Sequence, residues 1–300
     1  MATTTNSMNA PGGSRPDALD HELRTILSEF PELRETTSEE QEEALKEFRV
    51  EQLSRMIYGS NMIEFAGGSL ETTRRLCRTD LDKNVEDVSD ITKTDPEYDE
   101  IQQHLESRNL PDSHEEILQS YRETVQHALT AKYMFEKVGK GEPLSVEIIK
   151  EAHFILTYKI NINENTPWTQ YSGRYRDWNV QCGSHVFMDM GRVPSTMDSM
   201  IESLNRDIET RAMNPVALAS KYCHQFVNIH PFADGNGRMC RLILNALLLK
   251  FGFGVVCIGQ DREDRCQYLR IAVDSSAVGP AEIMDNYACT SFSITQRGLR

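Results

Sequence analysis

Positive charge is scarce in this chain: 32 Lys and Arg stand against 46 Asp and Glu, a formal net charge of −14. So acidic a protein is repelled by phosphate backbones and anionic lipid, which disfavours general binding to nucleic acid or membrane surfaces. A small anionic ligand stays open, because local charge decides that. Long apolar runs are missing too. The richest, LILNALLL, is interrupted by Asn245, and the amino terminus MATTTNSMNAPGGSRP has no apolar segment of the signal-peptide kind, so no membrane span or secretion is expected. The seven cysteines contain no CxxC pair. They offer neither a disulfide framework nor a zinc site, and a reducing cytoplasmic or nuclear location is the default. GxxxxGK[ST] is also absent, so a nucleotide would have to be held by something other than a P-loop.

What is present is a 39% hydrophobic composition, adequate for a buried core, and one dense stretch, HPFADGNGRMCR, from His230 to Arg241. Before it, Asn214 and Pro215 form a helix start, and Ala219, Tyr222, Cys223, Phe226 and Val227 recur at helical spacing. Pro231 disfavours the α conformation at the preceding residue, so this helix is predicted to end at His230. Gly235, Asn236 and Gly237 can adopt left-handed dihedrals and turn successive N–H groups inward, and a second helix follows at once with Arg238 and Arg241 on one face. A helix start carrying two arginines is an anion site.

That set of residues suits phosphate chemistry. His230 is a base that titrates near neutrality. Asp234 is a carboxylate suited to Mg²⁺ shared with phosphate oxygens. The simpler readings fail: the flanks of DGNG do not alternate as hairpin strands do, and a calcium loop on Asp234 would need ligands from Phe232 and Ile243.

The stretch resembles the active-site motif of the Fic family, HxFx(D/E)GNGRxxR, at His230, Phe232, Asp234, Gly235, Asn236, Gly237, Arg238 and Arg241. The resemblance implies an all-α fold, a Fic-type helical bundle with a short β-hairpin flap beside the active site. It also implies transfer of AMP from ATP, with Mg²⁺, to a Ser, Thr or Tyr hydroxyl of a target protein. His230 would be the base, Asp234 would hold the metal, and Gly235, Asn236, Gly237, Arg238 and Arg241 would hold phosphates. Upstream, SNMIEF resembles the inhibitory pattern (S/T)xxxE(G/N) of self-regulated members through Ser60 and Glu64, with Phe65 in place of Gly or Asn. There the implied contact is Glu64 with Arg241. The same site could instead remove AMP from a protein, and a nucleotide-binding module without turnover is the alternative of another class. Fic-like proteins often pair, so a homodimer is an open alternative.

In chain order, residues 1–18 are expected to be a disordered tail, and 19–77 helices that include the inhibitory one. Leu45, Phe48, Leu53, Met56 and Ile57 give the second of these its apolar register. Residues 78–113 are acidic and poor in apolar residues, so they read as an exposed insertion or linker with a candidate helix near Tyr98–Leu105. Residues 114–296 form the expected catalytic core. Within it His153 reads as a core or capping histidine. SGRYR is followed by two β-prone runs, WNVQC and HVFMD, around Gly183-Ser184. The family likeness makes these the flap, with Val180, Gly183, His185 and Phe187 receiving the target as an added strand. A helix with a Ser/Thr cap is predicted over 195–211. Tyr268, Ile271 and Ser275 fall near the family's adenine pocket, and a helix with a basic tail ends the chain.

Overall fold

Asn236–Lys250 is apolar on nearly every side, and a helix of that kind has to be surrounded. In the computed structural model the described residues are 39–277, apart from 80, 82, 183, 184 and 212. They run α1 (Glu39–Ile63), α2 (Leu70–Thr79), α3 (Pro96–Ser107), α4 (His114–Gly139), α5 (Val146–Thr157), a single turn α6 (Trp168–Tyr171), β1 (Gln181–Cys182), β2 (His185–Val186), α7 (Val193–Thr210), α8 (Pro215–Ile229), α9 (Asn236–Lys250) and α10 (Arg262–Ala277). The tail, the helix read from Asp20 and the last helix lie outside these residues. Residues 1–44 make a unit of their own, of which the opening of α1 is the described part, and Leu45 begins a second unit holding all later helices. Among the described residues no helix is long and apolar enough to cross a membrane.

The second unit is built around α9, which packs on α8 and α4; α5 lies on α4 and α7 on α8. Met239, Leu242, Ile243, Ala246 and Leu247 of α9 are fully buried in one core with Leu218, Tyr222 and Phe226 of α8 and Met134 of α4. Asn245, the one polar break in LILNALLL, is satisfied there: it accepts from Val256 N–H at 2.7 Å and donates to the Arg241 and Val256 carbonyls. The segment after α9 is thereby fastened to it. Local signals set the helix starts. Ser113, Ser145 and Asn214 each accept a first-turn N–H with their side chains, from Glu116, Ile148 and Ala217.

Three expectations change, and the hairpin is shorter than its two runs. The acidic stretch is not a free linker: Tyr98, Ile101 and Leu105 of α3 are buried with Leu76, Ile117 and Val125 in a second cluster, and Glu97 and Glu100 pair with Arg75 of α2. Net charge hid three apolar residues at helical spacing. On α1 only the later apolar positions face inward; Met56 and Ile57 are buried, whereas Leu45 and Phe48 are 42% and 55% exposed. Helix α7 begins at Val193 with Pro194 in its first turn, and Ser195 and Thr196 bond back to the Arg192 carbonyl instead of capping. Finally, the two β-prone runs pair over two residues each, Gln181 with Val186 and Cys182 with His185, extended by Phe187 N–H to the Val180 carbonyl at 3.2 Å.

Candidate active site

Barred from the α region by Pro231, His230 leaves α8 in the left-handed region, φ 50° and ψ 61°, with its N–H still bonded to the Phe226 carbonyl. The helix thus ends at Ile229, one residue before the predicted position. The turned-out ring stacks on Phe187, centroids 3.8 Å apart, and Nδ1 lies 3.2 Å from the Val227 carbonyl. A carbonyl only accepts, so Nδ1 carries the hydrogen and Nε2 keeps its lone pair. Burial pushes the imidazole below its ordinary range, which keeps it a neutral acceptor at neutral pH.

Phe232 is fully buried and lies flat on His153, rings 3.7 Å apart and 3° from parallel. His153 Nδ1 accepts from Gly173 N–H at 2.9 Å, so Nε2 must donate to the Asp234 carbonyl, 3.0 Å away. Burial pushes this imidazole down to about 4. One nitrogen thus holds the loop and the other the SGRYR segment.

Gly235 alone of the GNG turn is left-handed, at φ 74°; Asn236 and Gly237 already belong to α9. The predicted run of left-handed residues is therefore corrected to one. The Asn236 side chain does not face outward either. It accepts from Phe232 N–H at 3.0 Å and donates to the Phe232 carbonyl at 2.9 Å, so the expected hold on phosphate is corrected for its carboxamide, which closes the loop. No side chain caps α9, and its first-turn N–H groups are left to the loop side.

The two arginines serve different partners. Arg238 is buried; Nη2 is 3.1 Å from Asp234 Oδ2, Nη1 is 3.9 Å from Glu123 Oε1, and Nε and Nη1 find no hydrogen-bond acceptor among the described residues. Arg241 is fully buried, with Nε donating to Ser60 Oγ at 2.7 Å and Nη2 to the Ser60 carbonyl at 2.9 Å and Glu64 Oε1 at 2.7 Å. Burial opposes its charge, yet the Glu64 carboxylate holds the guanidinium above the ordinary arginine range. The same Glu64 oxygen sits where a Cβ at Gly237 would stand. A carboxylate from α1's end thus rests on the start of α9. Tyr268 is buried under Arg241, whose guanidinium lies 5.5 Å from the ring centroid; Ile271 and Ser275 have no described side chains. A cleft of about 560 Å³ lined by Lys150, Phe154, Trp168 and Arg174 opens beside the SGRYR segment and not over the GNG turn.

Sequence reasoning missed Arg176. It is buried, and its guanidinium donates to the carbonyls of His230, Trp178 and Met188 while its N–H bonds Pro231 O. One side chain ties the His230 backbone to both sides of the hairpin. An arginine amid turn formers, in so acidic a chain, was the available signal. Glu123 was missed as well. Burial pushes its carboxyl up, and it joins Gly67 N–H, just beyond Glu64, to Arg238.

The Fic/DOC family model matches residues 143–248. A Fido domain-containing protein of Dictyostelium discoideum is 38% identical over 101 residues, 33% of this chain and 71% of that protein. The chain belongs to the Fic/DOC family. A protein adenylyltransferase Fic of Nematostella vectensis is 31% identical over 139 residues, 45% of this chain and 30% of that protein, and the chain spans 20% to 33% of the length of such adenylyltransferases. The family fold is shared with a Fic domain containing signaling protein from Bacteroides thetaiotaomicron (TM-score 0.64, 20% identity, 91% of this chain and 95% of that one). It is shared too with Fic-1 from C. elegans (TM-score 0.60, 18% identity, 94% and 72%).

Proposed function

We propose that this protein is an adenylyltransferase that moves AMP from ATP to a Ser, Thr or Tyr hydroxyl of a target protein and is held at rest by Glu64. The observation that carries this reading is the tautomer of His230: Nδ1 is committed to the Val227 carbonyl, leaving Nε2 as a neutral base beside an uncapped helix start and two buried arginines.

Nε2 takes the proton of the attacking hydroxyl as its oxygen bonds the α-phosphorus, and the bond to the pyrophosphate oxygen breaks. N–H groups of Asn236 and Gly237 face the α-phosphoryl oxygens, and the Arg238 guanidinium, whose Nε and Nη1 find no hydrogen-bond acceptor among the described residues, serves the outer phosphates. The donor set fits a hard cation only jointly with substrate: among the described residues no three His, Cys, Asp or Glu side chains cluster. Asp234, 44% exposed, gives Arg238 one oxygen and keeps the other. Mg²⁺ bound by Asp234 and the phosphates would neutralise charge on them. The hairpin edge, with Val180, His185 and Phe187, receives the target main chain, and the Phe187 stack keeps that edge next to His230; Gly183, expected on the same edge, lies outside the described residues.

At rest, Glu64 and Ser60 hold the Arg241 guanidinium, and the Glu64 carboxylate occupies the approach to Gly237. An anion cannot take that place without displacing it. A second reading has support in the same contact. Glu64 gives Oε1 to Arg241, and its side chain is 37% exposed, which leaves a carboxylate oxygen able to orient water for removing AMP from a modified protein. Incubation of wild-type and Glu64→Gly protein with ATP labelled at the α-phosphorus, and separately with an AMP-modified target, tests both. Label incorporation by Glu64→Gly supports transfer; release of AMP by wild type and not by Glu64→Gly supports removal; neither reaction in either protein refutes the assignment.

A further inference from the structure

Phe65 follows Glu64 at φ 57°, a conformation easy for Gly or Asn and strained for a bulky side chain. Its ring is 56% exposed. It has two neighbours from distant helices: the Arg265 guanidinium of α10 lies 4.2 Å from the ring centroid and that of Arg108, the residue after α3, 5.4 Å away. Arg265 Nε also donates to the Ile63 carbonyl at 3.0 Å, one of those α1 leaves unbonded at its end. No carboxylate among the described residues pairs with Arg108 or Arg265, so the ring and the helix end are their chief partners. On the other side, α4 fixes the chain just beyond: Glu123 and Thr124 accept the N–H groups of Gly67 and Gly68, and Ser120 donates to the Gly67 carbonyl.

We propose that Phe65, Arg108 and Arg265 form a latch over the end of α1 that positions Glu64 against Arg241 and so sets the resting activity. The proposal rests on the inhibitory reading of Glu64 above. A helix end opens more readily than its middle, and opening there carries Glu64 away from Arg241 and Gly237. The two guanidiniums resist this by gripping the ring, and Arg265 resists it again through Ile63. The latch also accounts for a bulky aromatic in a left-handed position: contact with the ring offsets the backbone strain. Each lost guanidinium–ring contact should raise the open fraction, and with it the resting rate, roughly two- to fivefold.

The test is the initial rate of AMP incorporation by Phe65→Leu, Phe65→Tyr, Arg265→Leu and Arg108→Gln, each in the wild-type and in the Glu64→Gly protein. Phe65→Leu keeps an apolar side chain under the same backbone strain but has no aromatic face, and it should raise the resting rate several-fold. Arg265→Leu should do likewise, Arg108→Gln less so, and Phe65→Tyr should match wild type. None should add to the rate of Glu64→Gly. Unchanged rates in the wild-type background, with Glu64→Gly itself activated, overturn the latch and leave the inhibitory reading standing. Equal activation in both backgrounds overturns it too, because the residues would then act elsewhere. No activation by Glu64→Gly overturns the inhibitory reading and takes the latch with it. Should Phe65→Leu fold poorly, deuterium uptake by the peptide spanning 58–68 in Arg108→Gln decides: faster exchange is expected, and unchanged exchange contradicts the latch.

Discussion

Glu64 Oε1 accepts from Arg241 Nη2 at 2.7 Å and stands in the space a Cβ on Gly237 would need. One carboxylate oxygen therefore does two things: it neutralises a buried guanidinium and covers the N-terminal turn of α9. Gly237 is required here by close approach and not by its dihedral angles.

Removing that carboxylate should activate the enzyme. Glu64→Gly is expected to raise the initial rate of AMP transfer by about tenfold or more, the factor that corresponds to about 1.4 kcal/mol. Removal leaves the fully buried Arg241 guanidinium without its carboxylate, so some loss of stability is expected, moderated by the solvent that reaches the 37% exposed Glu64 side chain. Arg241 also keeps Ser60 Oγ and the Ser60 carbonyl. Labelling with α-phosphorus-labelled ATP and a melting curve check the two halves.

Arg176→Lys should uncouple the base from the hairpin. A lysine cannot serve the carbonyls of His230, Trp178 and Met188 with one planar fork, and each buried carbonyl left unpaired costs about 1–3 kcal/mol. In the Glu64→Gly background, kcat is expected to fall about tenfold or more while the nucleotide Kd stays near its starting value. An unchanged kcat would remove Arg176 from the positioning role.

His153 makes stability depend on pH with a definite sign. Its folded value, about 4, lies below its ordinary one, so its contribution is complete above pH 6.5 and is lost as pH falls toward 4. For a buried group the loss amounts to about 3 kcal/mol. Urea unfolding should show stability dropping across that window, and His153→Gln should flatten the drop. His127, buried and shifted the same way, leaves part of the slope in place.

The rate of transfer should follow the proton on His230. Burial lowers its pKa, so the Glu64→Gly rate should rise with pH through a limb below 6.5 and be level by neutrality. A limb centred above 6.5 would point to a different base.

How much of this was readable from the chain divides along sequence distance. His230, Asp234, Arg238 and Arg241 lie within twelve residues, and their local order fixes where they stand: Pro231 turns His230 out, and Gly235 starts α9. Ser60 and Glu64 were readable by likeness to a short pattern, and both meet Arg241 in the structure. The supports come from far away and carry no local signature. His153 bonds the Asp234 carbonyl from 81 residues upstream, and Arg176 reaches His230 across 54. Asn236 went the other way. Its place in the motif suggested a phosphate ligand, whereas its amide closes the loop on Phe232. Segment 78–113 was judged by its charge, and the burial of Tyr98, Ile101 and Leu105 depended on a partner surface on α4 that composition does not show.

The most direct test is α-phosphorus label transfer by Glu64→Gly beside Glu64→Gly/His230→Ala, with nucleotide affinity measured for both. Loss of the base should reduce labelling by about 10²–10⁴-fold and leave the nucleotide Kd nearly unchanged. Label transfer that persists in the protein lacking His230 would contradict the site as assigned.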